Sequence, residues 1–277
     1  MAASFLIMLR EGLEAALIVG IMLAYLARTG HRERAGTVWA GVALSAVASL
    51  VAGAAIFLTA GSIEGRAEEL FEGTAMLTAA AVLTYMIFWM RRQAINIRAH
   101  LHAQVQTALE TGSALALGLL AFVAVGREGV ETALFMFAAV RAATPAAAAI
   151  GGLLGLAAAV LLGYLLYRGT YRLNLRAFFN VTSVLLLLFA AGLLARGIQE
   201  FTEAGFVPAL IDPIWDTNGI LHEASLLGSF LKALLGYNGD PSLVEALAYA
   251  AYVVLVAWSY FRPPTAGELQ ASPQQAR

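Results

Sequence analysis

Two pentapeptides in this 277-residue chain set charge inside long apolar runs: Arg10-Glu11-Gly12-Leu13-Glu14 and Arg127-Glu128-Gly129-Val130-Glu131. On a helix, residues three and four apart share a face. Glu11 and Glu14 therefore present two carboxylates to one side with Arg10 beside them, and Glu128, Glu131 and Arg127 repeat the arrangement. Gly12 and Gly129 remove bulk next to the first glutamate, which lets a partner helix or an ion approach the backbone. Glu69 and Glu72, again three apart, bring the candidate carboxylates to six. Such all-oxygen anionic donors suit a hard cation, whereas soft metals prefer sulfur ligands. The chain contains no cysteine, which excludes disulfides, iron–sulfur clusters and thiolate metal sites.

These residues need elements to hold them, and composition says which kind. The chain is 60% hydrophobic and 13% charged, with a mean hydropathy of +0.77. A soluble domain carries about 25% charged residues, so the composition is that of an integral membrane protein. A net charge of −1 gives no footing for nucleic-acid binding. A span needs about 20 mainly apolar residues, and seven segments qualify: 4–27, 36–60, 67–90, 113–139, 146–167, 177–199 and 243–261. No alternating strand pattern occurs, so the expected fold is all-α, a polytopic bundle of seven transmembrane helices. The start lacks the basic region of a signal peptide, and the first segment is read as a retained span.

Seven spans divide the loops into two alternating sets, and the basic residues are divided very unevenly between them. One set holds Arg28, Arg32, Arg34, Arg91, Arg92, Arg98, Arg168, Arg172, Arg176, Arg262 and Arg277; the other holds Arg66, Arg141 and Lys232. The richer side is cytoplasmic, so the expectation is N-terminus outside and C-terminus inside. The residues 91–110 read as a cytoplasmic helix with a basic face, and 263–277 as a polar cytoplasmic tail. The stretch 201–242 reads as an outer loop, within which 220–235 forms an amphipathic helix lying on the outer surface.

The two motifs lie 117 residues apart (positions 10 and 127), in the first and fourth spans. A repeat of three helices reverses direction in the membrane, which predicts an inverted repeat of about 4–90 and 113–199, followed by a seventh helix, with sites near mid-membrane. Phe71-Glu72-Gly73-Thr74 is faintly echoed by Phe179-Asn180-Val181-Thr182. Entering from outside, the first helix carries Glu14 roughly 15 Å deep at 1.5 Å per residue. Glu131 sits at a similar depth, so the motifs can meet. Buried charges cost at least ~2.5–3.5 kcal/mol each on insertion scales, which favours a use for three in one span. An Arg–Glu pair can also serve as structural glue, but that leaves Glu11 and Glu128 unpaired. Four ionised motif glutamates and two arginines sum to −2, suited to a di- or trivalent cation. Ligands must be deprotonated to bind it, which couples binding to pH.

The paired motifs resemble the oxidase-dependent iron transporter family, comprising fungal high-affinity iron permeases and bacterial Efe-system permeases. Glu69-Leu70-Phe71-Glu72-Gly73, Ala195-Arg196-Gly197-Ile198-Gln199-Glu200-Phe201 and the Gly236-Tyr237 … Pro241-Ser242 run are similar to that family as well. The resemblance covers about 4–262. It implies seven spans in a cell membrane and inward movement of iron, Fe3+ or Fe2+, as transported ion rather than permanent cofactor. It further implies Glu11, Glu14, Glu128 and Glu131 as ligands, Arg10 and Arg127 as supports, and an extracytoplasmic oxidase or iron-delivery partner. Other hard or heavy divalent metals remain open as substrate, and so does a homo-oligomer.

Arg196, Gln199 and Glu200 end the sixth span as either a gate or a structural cap. His31, His100 and His102 fall on the cytoplasmic side, read as solvated, with receipt of exiting metal at His100 and His102 as the alternative, and Met86 with Met90 reads as packing. A metal sensor and an intramembrane enzyme are the rival classes. The enzyme reading lacks a nucleophile: there is no HExxH, GxSxG or cysteine, so the chain is read as a non-enzyme.

Overall fold

A computed structural model describes residues 1–61, 63–93, 97–110, 114–141, 144–168, 174–223 and 225–262. The side chains of Arg91, Arg92, Arg98, His100 and Arg176 lie outside the described set, as do Arg172 and the 263–277 tail with Arg277. Among the described residues there is no strand, and the α-helices are α1 (Ala2–Arg28), α2 (Ala35–Gly61), α3 (Arg66–Gln93), α4 (Ile97–Glu110), α5 (Ala114–Arg141), α6 (Pro145–Tyr167), α7 (Leu175–Glu203), α8 (Leu226–Leu235) and α9 (Leu243–Phe261). Their starts follow capping chemistry. Asn174, Ser225 and Ser242 each accept a backbone N–H of the first turn, and Pro145 opens α6 where no donor is needed.

Five helical stretches are long and apolar enough to cross a bilayer: Arg32–Gly61, Arg66–Met90, Pro145–Tyr167, Ala177–Glu203 and Leu243–Tyr260. The helices α1 and α5 are as long, 27 and 28 residues, but each carries an arginine and two glutamates at mid-length.

Packing is set by small residues, as expected where hydrocarbon gives helices no hydrophobic reason to associate. Helix α1 runs parallel to α6: Met1 meets Gly151, Leu9 meets Gly155, Gly12 meets Ala159 and Ala16 meets Gly163. Helix α2 runs parallel to α5 through Gly41 on Gly118, Ser45 on Gly126, Ser49 on Gly129 and Gly53 on Ala133. Helix α3 lies antiparallel to α7. Arg66 Nε donates to the Ala204 carbonyl at 2.7 Å, and Gly73 faces Gly197. One apolar core joins α1, α3, α5 and α7 around Ile7, Leu83, Phe135 and Phe189. A second, around Met22, Leu26, Val105 and Leu117, seats α4 against α1, α2 and α5.

The stretch between α7 and α9 folds inward. Gly236, the left-handed C-cap of α8 at φ 70°, meets Gly192 at the middle of α7, where a Cβ on either glycine would collide with the other's backbone. Helix α8 thus packs on α7 as well as showing Leu227 and Phe230 at the surface. Lys232 ion-pairs with Glu223, whose other oxygen accepts the Gly239 N–H at 2.7 Å. Partial burial works against charge on Glu223, but Lys232 and the Gly239 N–H outweigh it and hold this carboxyl below its usual range.

Candidate metal site between α1 and α5

Both motifs lie at mid-helix and face each other. One carboxylate oxygen from each of Glu11, Glu128 and Glu131 falls within 4.8 Å of the other two. The 3.6-residue turn produces this: one glutamate of α1 and both glutamates of α5 share the interhelical face. Glu11 is 1% exposed and Glu128 7%. Neither oxygen of Glu11 has a hydrogen-bond partner, nor does Oε2 of Glu128 or of Glu131. Buried carboxylate oxygens without donors are costly unless a cation or proton joins them.

Each arginine neutralises the second glutamate of its own motif. Arg10 Nε donates to Glu14 Oε1 at 3.0 Å, and Arg127 Nε to Glu131 Oε1 at 2.9 Å. Glu14 stands beside the group rather than within it, inside electrostatic reach of Glu128 and Glu131. Gly12 and Gly129 sit against the outer helices: a Cβ on Gly12 would lie 2.8 Å from that of Ala159, and one on Gly129 would collide with Ser49.

The remaining predicted residues gather elsewhere. Glu72 ion-pairs with Arg141, the last residue of α5, with Glu68 also facing that guanidinium. Arg141 follows Glu131 by about 15 Å along the helix. Glu69 and Glu72 lie within electrostatic reach of Glu200, whose Cβ packs beside Gly73. Gln199 donates to Glu203 at 2.9 Å, and Arg196 faces Glu200, Glu223 and Glu245. These residues form a second polar layer at the Glu72 end, apart from the motif glutamates.

Two further side chains border the site without any signal in the sequence. Trp89 lies under the Arg127 guanidinium, 4.2 Å from the ring centroid. Met90 Sδ accepts from Arg10 Nη2 at 3.3 Å, so Met90 does more than pack, whereas Met86 is core as expected. Only the fold of α3 across both motifs reveals this pair. His102 meets Tyr25 at the α4 end, ring centroids 4.9 Å apart and tilted by 38°.

Membrane-length apolar helices enclosing a buried acidic group define a multi-pass membrane protein. The chain belongs to the Iron permease FTR1 family, whose model matches residues 1–261. It is 41% identical over 276 residues to the ferrous iron permease EfeU of Yersinia pestis, covering 98% of each chain. It is likewise 41% identical over 269 residues to the EfeU of Escherichia coli O6:K15:H31, covering 96% of this chain and 98% of that one. No solved structure matches. The protein is a transmembrane iron permease and not an enzyme.

Proposed function

We propose that the chain carries iron into the cytoplasm through the group formed by Glu11, Glu128 and Glu131, with Glu14 as a fourth carboxylate released to the ion when Arg10 yields it. The observation that carries the reading is the meeting of three buried carboxylates from two helices with most of their oxygens unpartnered. The ion is cargo and replaces its water shell with these oxygens. The curated relatives are named for ferrous iron, which an all-oxygen site accepts. Arg10 and Arg127 hold the second glutamates in place, and Gly12 and Gly129 keep the flanking helices close.

The membrane arrangement in this reading has seven spans, α1, α2, α3, α5, α6, α7 and α9, with the N-terminus outside. The inverted repeat has support from packing. A shift of 117 residues carries α1 onto α5, and a shift of 110 (positions 41 and 151) carries α2 onto α6. Under these two shifts the four α1–α6 contacts become the four α2–α5 contacts, residue for residue. Glu69, Glu72 and Glu200 form an outer layer that ions meet first, beside the surface where an oxidising or delivering partner would release iron.

The test is uptake of iron by proteoliposomes. Glu11→Gln and Glu128→Gln are each expected to reduce uptake to that of empty liposomes while the protein still inserts. Undiminished uptake in both removes these residues from the path.

A further inference from the structure

The two halves set a glycine against a phenylalanine at one pair of equivalent positions, each six residues past the second motif glutamate. The shift of 117 that carries Arg10 onto Arg127 also carries Gly20 onto Phe137. Around Gly20 lies a cavity of about 410 Å³ between α1, α6 and the start of α7. A Cβ on Gly20 would meet nothing within 4 Å. The cavity wall on α1 includes Leu17, Ile21 and Arg28, which continue the helical stripe of Arg10 and Glu14 by steps of three and four. It begins at Ala16, two residues past Glu14, and reaches His102 at the α4 end. At roughly 30 Å³ per molecule this is room for several waters.

At the equivalent place in the other half the space is filled. Phe137 is fully buried, with Phe57 at 5.3 Å and Phe71 at 6.0 Å, both edge to face. The shift of 110 carries Phe57 onto Tyr167, a lining residue of the cavity. The plug and the cavity are therefore the same architectural position seen twice. Arg141 covers the plug, its guanidinium 5.5 Å from the Phe137 ring and paired with Glu72.

We infer that Phe137, with Phe57 and Phe71, is the closed gate of the ion path at the Glu72 end, and that the Gly20 cavity is its open mouth at the α4 end. A hydrated cation cannot pass the buried Phe137 ring, with Phe57 and Phe71 edge-on to it, without displacing them, whereas among the described residues nothing lies within 4 Å of a Cβ on Gly20. Inverted halves in unlike conformations give one open and one closed mouth, and their exchange delivers the ion. This assignment rests on the permease reading above, since it concerns how ions reach and leave the glutamate group.

The absence of cysteine makes single-cysteine labelling a clean test. Gly20→Cys and Ala138→Cys are placed in separate chains, in vesicles of known orientation, and treated with a water-soluble, membrane-impermeant maleimide from either side. The expected result is that G20C labels from the α4 side only, at least about tenfold faster than A138C labels from either side, because thiol reactivity follows water access. Adding Phe137→Ala is expected to make A138C reactive from the opposite side; Phe57→Ala serves the same purpose should that variant fail to insert. Labelling of G20C by lipid-soluble reagent alone makes the cavity a lipid crevice and overturns the assignment. So does an A138C thiol that stays silent after the plug is removed. Labelling reads water access and not iron, so normal labelling combined with undiminished uptake in E11Q would sink the glutamate site while leaving the gate standing.

Discussion

Arg10 and Arg127 occupy the same place in their motifs, yet one is sealed in protein at 1% exposure and the other has a side chain 39% exposed over Trp89. Removing Arg10 strands the buried Glu14 carboxylate, a loss on the order of 3–5 kcal/mol for a broken buried pair. Removing Arg127 breaks a pair whose arginine is less enclosed by protein, lying over Trp89, and is expected to cost less. Thermal unfolding in detergent is therefore expected to drop far more for Arg10→Ala than for Arg127→Ala, and equal drops would contradict the asymmetry. The motif glutamates were legible because charge in an apolar helix is costly and the spacing fixes the face. Trp89 and Met90 were not, since nothing local marks a residue that another helix will need. Glu69 and Glu72 had the right type and spacing, but only the packing of α3 against the end of α5 separates them from the motif group.

Helix pairing is decided where backbones touch. Gly41 and Gly151 are equivalent crossings: a Cβ on either collides with a backbone carbonyl, of Gly118 or of Met1. Gly41→Leu and Gly151→Leu are expected to lower the yield of monodisperse protein to a similar degree, with Gly20→Leu harmless to folding. A tolerant Gly151→Leu would remove the α1–α6 seam from the account. In the α7–α9 connection, Glu223 is held below its usual pKa, so its pairing with Lys232 stabilises the loop fully above the ordinary value of 4.5 and is lost as pH falls through the lower folded value. Proteolysis within 204–242 is expected to accelerate on acidification below that range, and Glu223→Gln to cleave fast at neutral pH without that acid step. Each of the seven apolar segments falls on one helix, and five helical stretches are long and apolar enough to cross a bilayer. The inward fold of α8 against Gly192 was not legible, because a short amphipathic stretch has the same pattern on a membrane surface as on a protein one.

For the whole molecule, the proposed inverted repeat would turn one motif into two halves of a single site. Sequence suggested the duplication through the motifs and the faint Phe71–Thr74 echo at Phe179–Thr182, since α2 and α6 share little beyond small residues at every fourth position; the contacts those residues make support a common register. A shared site has a thermodynamic signature that two separate sites lack. The most direct test is iron affinity of the purified protein with Glu11→Gln, Glu128→Gln and both together. One ion held from α1 and α5 predicts that each single variant loses most of the binding energy and the double loses little more, a coupling on the order of 1–3 kcal/mol. Losses that simply add, or iron binding unaffected by either change, would contradict convergence of the two motifs on one ion.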